Sequence, residues 1–297
     1  MATMTRANFG TLLTPIHRQI IFDEYNMKPE EYTELFKVIE MNKYTETFPE
    51  LRGMGMWSTG NEANVFNEDS MEEGATATLT AVRYDNSYIL TWELVRDDIQ
   101  RALAGYGKGG SARGLSKGLK DTIETYCANI INNGFTVACY DGECLFDTDH
   151  PYKGSGDDTN LATGAITDAN LKLALTKMRD LHDGAGLKMN ARADKVFCAA
   201  NKEFDLYTVL QSAGQAGTLS NDKNVLPRLA PVINDYLTDN YWGILDSSIE
   251  CLTFGWRDKP IFDSEKIPAT VDYRMYGYTR FDADAISYRG IVASTGA

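Results

Sequence analysis

The feature that most constrains the fold is a polar stretch, residues 50–74, that offers little to a core of its own. Gly, Asn, Ser and acidic residues dominate it, and its apolar residues, such as Trp57 and Phe66, are isolated. Alternating, strand-like sequence follows in ATATLTAVRY and SYILTWEL. Long loops are uncommon inside compact domains and usually serve a function or contact a partner. The sequence therefore predicts a projecting β-hairpin or loop.

Apolar spacing predicts a long amphipathic helix downstream of that stretch, ending near Asn133-Gly134. The residues that share its apolar face are Leu115, Leu119, Ile123, Cys127 and Ile130. A shorter helix is predicted to start at Pro29 and to end before Tyr44, with Tyr32, Leu35, Phe36 and Ile39 on its apolar face. Another helix is predicted to be capped by Thr167 and stopped by Gly184.

Strands are predicted in KVFCAA and, from Tyr241 onward, in several short segments, with a helix from Glu203 to Gln211. The first 28 residues have little periodicity and are predicted to form an extended arm. Helices and strands lie in segregated runs, which indicates the α+β class.

Composition excludes several classes of protein. No uninterrupted apolar run approaches 18 residues, so no transmembrane helix is expected. A net charge of -13 argues against a general nucleic-acid binder, which needs clustered Lys and Arg. Five cysteines without a CxxC pair predict reduced thiols and synthesis in the cytoplasm.

The charge is unevenly distributed along the chain. From Glu40 to Asp98 there are 12 acidic and 4 basic residues, whereas from Arg101 to Lys120 there are five basic residues and no acid. Adjacent blocks of opposite sign usually mark solvated faces, and they also mark surfaces that meet within a molecule or between copies.

The segment LFDTDHP, residues 145–151, places Asp147, Asp149 and His150 close together. A calcium loop of EF-hand type fails here, because Pro151 and Tyr152 occupy its fifth and sixth positions. Short acids before a proline also form turns, and a polar turn is the favoured reading. A metal-dependent hydrolase that uses these three residues stays open as an alternative.

A glycine pattern at Gly105, Gly107 and Gly110 matches the dinucleotide fingerprint in letters only. It follows helical sequence and lacks the strand–turn–helix context, so a break between helices is predicted. No phosphate-binding P-loop and no GxSxG elbow occurs. The sequence specifies no active site and no cofactor, and we expect the protein not to be an enzyme.

The order of these elements resembles the major capsid proteins of tailed bacteriophages, which share the Hong Kong 97-type fold. The segment LFDTDHPYKGSGDDTNLATGAITDANLKLALTKMRDLHDGAG is similar to the Mu-type major head subunits, and DADAISYRGI resembles their terminal strand. In this resemblance LFDTDHP marks the passage from the long helix into a second domain and carries no chemistry.

The resemblance implies a particular domain organisation, with an N-terminal arm, an extended β-hairpin loop, a peripheral domain containing a long spine helix, and an axial domain. The expected ranges are an arm and helix over 1–49, the extended loop over 50–90, the peripheral domain with the spine helix over 91–145, the axial domain over 146–268, and C-terminal strands returning to the peripheral domain over 269–297.

It also implies a function, which is self-assembly into hexamers and pentamers that form an icosahedral shell around phage DNA. The expected partners are further copies of the chain, a scaffolding protein, a portal, a decoration protein and packaged double-stranded DNA held without sequence-specific binding. The expected location is the virion, after assembly in the host bacterial cytoplasm, with no membrane partner. An encapsulin-like nanocompartment shell shares this fold and is the structural alternative.

Combined with the charge asymmetry, the resemblance finally predicts a subunit interface in which the acidic loop of one copy docks on the basic face of the long helix of a neighbour. Two alternatives stay open: both patches are solvated, or the basic face lines the interior and meets packaged DNA. The residues predicted to form this interface are Trp57, Phe66, Glu68, Asp69, Glu72, Glu73, Arg113, Lys117 and Lys120.

Overall fold

The computed structural model describes residues 30–62, 65–66, 68–97, 111–152, 156–212, 224–226 and 228–297. The predicted arm (1–28) and the predicted glycine-rich break (105–110) lie outside these ranges. Of the helical sequence that precedes this break, the structure describes α2, Trp92–Asp97.

The first sheet has four strands in the order β1-β10-β11-β4. Their bounds are β1 Lys37–Glu40, β4 Val82–Leu90, β10 Leu252–Lys266 and β11 Tyr273–Ala285. β10 and β11 form a long antiparallel hairpin, β1 lies parallel to β10, and β4 lies antiparallel to β11.

The long helix, α3 (Ser111–Asn133), packs against this sheet. Ile123, Cys127 and Ile131 of the helix are buried in one cluster with Phe254 and Phe281 of the sheet. The predicted amphipathic helix is therefore confirmed, and its apolar stripe faces the strands.

The second sheet has the order β12-β9-β7-β8. Its strands are β7 Lys195–Ala199, β8 Ala230–Asn234, β9 Trp242–Leu245 and β12 Ile291–Ser294. Side chains of β7 alternate between two cores, because Phe197 and Ala199 join the cluster under α3 while Val196 and Cys198 join a second cluster. Two helices, α4 (Asp168–Asp180) and α5 (Glu203–Gln211), complete that second cluster.

Two further strands, β2 (Thr45–Arg52) and β3 (Glu72–Thr80), pair antiparallel and carry the projecting loop between them. The predicted hairpin is present, with one correction. Residues 82–90, which were predicted to lie in the extended loop, form β4 and pair with β11 across the first sheet. Only Ala81 separates β3 from β4, so their closeness in the chain gave no sign of the change of sheet.

The helix predicted from Pro29 is wrong beyond its first turn. The structure has α1 only at Tyr32–Leu35, and Ile39, which was placed on its apolar face, lies in β1 opposite Gly255. The β-branched pair Val38 and Ile39 favours a strand, and pairing with β10 overrides the helical spacing.

Around α4 the predictions hold at one end and fail at the other. Thr167 caps the helix, because its hydroxyl accepts the Asn170 N–H at 3.2 Å. The helix ends at Asp180, before Gly184. Gly184 serves a contact instead, since a Cβ there would lie 3.1 Å from the Arg52 Cα.

Sheet membership also departs from the predicted boundary at residues 268 and 269. β10 begins at Leu252 and already belongs to the first sheet, whereas the last strand, β12, belongs to the second. Hydrogen-bond register, which is set by distant partners, decides this assignment. The division into peripheral and axial domains stays a prediction.

The capping role of Thr167 gives a testable prediction. Thr167→Ala should lower the free energy of unfolding by about 1 kcal/mol, because one amide at the helix start loses its acceptor. Chemical denaturation measures the change. The control is Thr176→Ala in the same helix, whose hydroxyl donates to the Lys172 carbonyl at 3.0 Å and whose loss should cost less than about 0.5 kcal/mol. Equal losses in both variants would contradict the cap.

Candidate functional site

The turn at Asp147 and Asp149 is held by Thr148 between them. The Thr148 N–H donates to Asp147 at 2.7 Å, and the Thr148 hydroxyl donates to Asp149 at 2.7 Å. The Asp147 N–H donates to the side chain of buried Asn160 at 3.0 Å. These bonds agree with the predicted polar turn.

His150 does not belong to the exposed part of that turn, because it is buried in the short strand β5, His150–Pro151, which pairs with β6, Asp157–Asp158. Its ring stacks on Tyr288 with centroids 3.9 Å apart, and its Nδ1 lies 2.7 Å from the Asp141 carboxylate. Burial pushes the pKa of Asp141 up, but hydrogen bonds from His150 and Cys139 outweigh it and leave that pKa below its usual value.

The metal hypothesis finds no support in this geometry. Within the described ranges no group of three or more His, Cys, Asp or Glu side chains could hold a metal ion. His150 turns to Asp141 and Tyr288, away from the two acids of the turn to which the hypothesis joined it. The sequence analysis did not single out Asp141, because an acid in the segment CYDGE gives no local sign that it contacts His150.

The loop from residue 53 to residue 71 exposes large apolar side chains. Trp57 is 97% exposed and Phe66 is 92% exposed, which is unusual for aromatic residues in a folded chain. The exposed apolar residues in or beside the loop are Leu51, Met54, Met56, Trp57, Val65, Phe66 and Met71. We call this set the apolar loop surface.

The predicted acidic residues lie on the same segment. Glu68, Glu72 and Glu73 are exposed. Asp69 is also exposed, and its carboxylate accepts the Gly55 N–H at 2.7 Å, so it links the two limbs of the loop. The loop thus presents apolar and acidic groups together.

The predicted basic face of the helix is only partly present. Lys117 is exposed, whereas Lys120 is 8% exposed and lies beside buried Glu124. The prediction for Lys120 is therefore wrong as far as an exposed face is concerned, because the buried stripe of α3 is wider than its apolar spacing suggests. The Arg113 side chain lies outside the described part of the chain.

Glu124 is a buried group that the sequence analysis missed. It is 4% exposed, and its carboxylate accepts the Glu31 N–H at 2.8 Å and the Tyr32 N–H at 2.9 Å. It therefore fixes the start of α1 against α3. Burial raises the pKa of Glu124 to about 7, although the two backbone donors and Lys120 act in the opposite direction. Its burial could have been predicted, because Glu124 directly follows Ile123, a residue of the apolar helical face.

A groove lies between α3 and the first sheet. Its cavity volume is about 290 Å³, and its lining includes Leu115, Leu119, Phe262 and Tyr278. Gly118 also lines it, and a Cβ on that residue would have no atom within 4 Å, so the groove is open there. Exposed Lys117 immediately precedes Gly118 in the helix.

Solved structures of similar fold are shells. The capsid of a native GTA particle matches with a TM-score of 0.58 at 10% identity, over 90% of this chain and 90% of that one. The procapsid of bacteriophage JBD30 matches with a TM-score of 0.52 at 15% identity, over 98% and 76%. A virus-like particle from Pyrococcus furiosus matches with a TM-score of 0.53 at 8% identity, over 93% and 96%. The fold is the Hong Kong 97-type capsid fold.

The sequence matches the family described as phage capsid protein over residues 74–294, and no curated protein matches it. The chain belongs to the phage capsid protein family, whose members are components of the virion shell. The narrower likeness to Mu-type head subunits stays a prediction. In the described ranges, no helix is long and apolar enough to cross a membrane.

Glu124 generates a prediction about pH. Its pKa is higher in the folded chain than the ordinary value of 4.5, so the folded state binds the extra proton between pH 4.5 and about 7. The resulting stability is fully present below pH 4.5 and is lost as the pH rises through about 7. Relative to Glu124→Gln, the wild-type free energy of unfolding should fall across this window by at most about 1.4 kcal/mol per pH unit.

The measurement is chemical denaturation of both proteins at a series of pH values. Glu143→Gln is the matched control, because Glu143 is exposed and its replacement should leave the wild-type profile unchanged. Parallel profiles for wild type and Glu124→Gln would show that Glu124 does not titrate in the window.

Proposed function

We propose that this protein is the major head subunit of a phage and that it assembles into hexamers and pentamers of a closed icosahedral shell. The observation that carries the proposal is the apolar loop surface, which the described chain leaves in water. Burying a large apolar side chain is favourable by about 1.5–3 kcal/mol. A second copy of the chain that covers this loop would supply that stabilisation, and family membership supports a shell as the result.

We further propose that the loop of one copy docks in the groove between α3 and the first sheet of its neighbour. The groove offers apolar side chains and an open helix surface at Gly118 to receive Trp57 or Phe66. The acidic groups of the loop complement exposed Lys117 beside the groove. Lys120 takes no part in this revised interface, since it is buried within its own chain.

The remaining partners are also part of the proposal. A separate scaffolding protein would direct assembly, a portal would occupy one vertex, a decoration protein could bind the outside, and double-stranded DNA would fill the interior without sequence-specific contacts. Assembly would take place in the bacterial cytoplasm. The protein acts as a building unit in this proposal, and no catalytic role is assigned to it.

A nanocompartment shell is the second candidate, because the fold is shared with the virus-like particle from Pyrococcus furiosus. The two candidates differ in their contents. Particles purified from the natural source that contain DNA and a portal support the phage head, whereas particles that contain a protein cargo and no portal support the nanocompartment.

The first prediction on assembly concerns the two exposed aromatic residues. The double variant Trp57→Ser with Phe66→Ser should lose about 3–6 kcal/mol per contact, or two or more powers of ten in association. Its thermal unfolding should match wild type, because both side chains are more than 90% exposed in the subunit. Electron microscopy and sedimentation measure the yield of shells.

The control is Phe204→Ser, which removes an 80% exposed aromatic residue from α5, outside the loop. It should leave the loop contact intact. A normal shell yield from the loop double variant would contradict the proposed contact.

The second prediction concerns charge. Glu72→Lys with Glu73→Lys should reduce the shell yield, and adding Lys117→Glu should restore part of it, because the sign of both surfaces is then reversed. Exposed pairs contribute only about 0–1 kcal/mol each, so the effect should shrink at high salt. The measurement is light scattering during assembly at two salt concentrations. No improvement from Lys117→Glu would exclude the helix as the partner of these acids.

A further inference from the structure

A buried ion pair holds the hairpin at the point where the loop leaves it. Arg289 Nη1 donates to Glu50 Oε1 at 2.5 Å, and the two side chains are 7% and 13% exposed. Glu50 lies near the outer end of β2, two residues before the loop begins after Arg52. This pair joins the projecting element to residues 239 positions away in the chain.

The guanidinium of Arg289 is fixed by the body of the protein before it reaches Glu50. Its Nε donates to the His182 carbonyl at 2.7 Å, and its Cζ lies over the Tyr288 ring, 4.5 Å from the ring centroid. These two contacts hold the Arg289 guanidinium in one position, and its hydrogen bond to Glu50 therefore determines where the Glu50 carboxylate lies.

The ladder between β2 and β3 is irregular beside Glu50, and this irregularity favours the contact between Glu50 and Arg289. The register of β2 and β3 shifts between Pro49 and Leu51, where Gly74 and Ala75 of β3 together lie opposite Glu50 alone, so β3 carries a bulge beside Glu50. Bulges redirect a side chain out of the regular ladder. Gly74, on the opposite strand, leaves room for Glu50, since a Cβ there would lie 2.6 Å from Glu50 Oε2.

A second glycine, Gly184, lies in the turn after α4 and also allows the close approach to Glu50. A Cβ on Gly184 would lie 3.1 Å from both the Arg52 Cα and Glu50 Oε1. Backbone therefore approaches backbone where the turn after α4 meets the outer end of β2. We call Glu50, Gly184 and Arg289 together the hairpin clamp.

From this geometry we infer that Glu50 and Arg289 are positioning residues for assembly, and that the hairpin clamp sets the direction in which residues 53–71 project. The inference rests on the proposed function of the loop as an intersubunit contact. Glu50 and Arg289 themselves touch no second copy in this proposal. They act through the hairpin.

The test needs variants that separate position from simple stability, because removing one partner of a buried pair also leaves an unpaired charge. Glu50→Gln removes one charge. Glu50→Leu with Arg289→Met removes both, and apolar replacements of a buried pair are often tolerated by the fold. Glu40→Gln is the matched control, since Glu40 forms an exposed pair with Lys259 at 2.6 Å.

Two readouts apply to the full-length chain. Hydrogen exchange of the subunit, kept dilute enough to stay unassembled, follows the amides of β2 and β3. Electron microscopy at high concentration follows the shells. In the double variant we expect wild-type thermal unfolding, exchange in the hairpin faster by about tenfold or more, and a shell yield lower by about tenfold or more.

A double variant that folds and assembles like wild type would overturn the inference, because the pair would then serve only to neutralise buried charge. The same conclusion follows if Glu50→Gln speeds exchange throughout the chain and the double variant restores both fold and shells. Rapid exchange confined to the hairpin supports the clamp even if wild-type protein forms no shells. That last result would refute the proposed function and leave the clamp as a feature of the subunit.

Discussion

The second sheet is buried on both faces, and the arrangement of the other parts depends on it. β7 turns Val196 and Cys198 toward the helices α4 and α5, and it turns Phe197 and Ala199 toward the core beneath the long helix. Neither core can separate from this sheet without exposing one of its faces to water. The two cores are therefore coupled packing units.

The sequence predicted those elements whose signal is local. Thr167 indicates the start of α4 because a helix cap is a contact within four residues, and the apolar run after Lys195 in KVFCAA indicates a strand. Ile39 was assigned to a helix because its spacing from Leu35 and Phe36 fits one, while its real partner in β10 lies more than two hundred residues away. The change of sheet between β3 and β4 was missed for the same reason.

In the candidate site, too, features with a local sequence signal were predicted, whereas contacts between distant residues were missed. Trp57 and Phe66 could be recognised as lacking a core, since the residues around them are polar, and they are exposed in the subunit. Lys120 was misplaced because a basic residue at helical spacing was taken to lie on an exposed face, and His150 was grouped with Asp147 and Asp149 because it is their neighbour in the sequence. Lys120 lies beside Glu124, and His150 beside Asp141, so each buried polar group has a partner that only the fold supplies. Arg289 and Glu50 gave no signal, because nothing local relates them.

The length of the loop explains why contacts far from its tip matter to assembly. The chain between Arg52 and Glu72, the last ladder pair, is long enough for two limbs of about nine residues, which could reach at most roughly 30 Å from that pair. A tilt of about 10° at Glu50 would then move the tip by about 5 Å, more than the separation of about 4 Å at which apolar side chains touch. Trp57 and Phe66 can enter a fixed groove on another copy only if the strands that carry them are held firmly. A buried ion pair, whose directional hydrogen bonds fix geometry more than they add stability, is suited to that task.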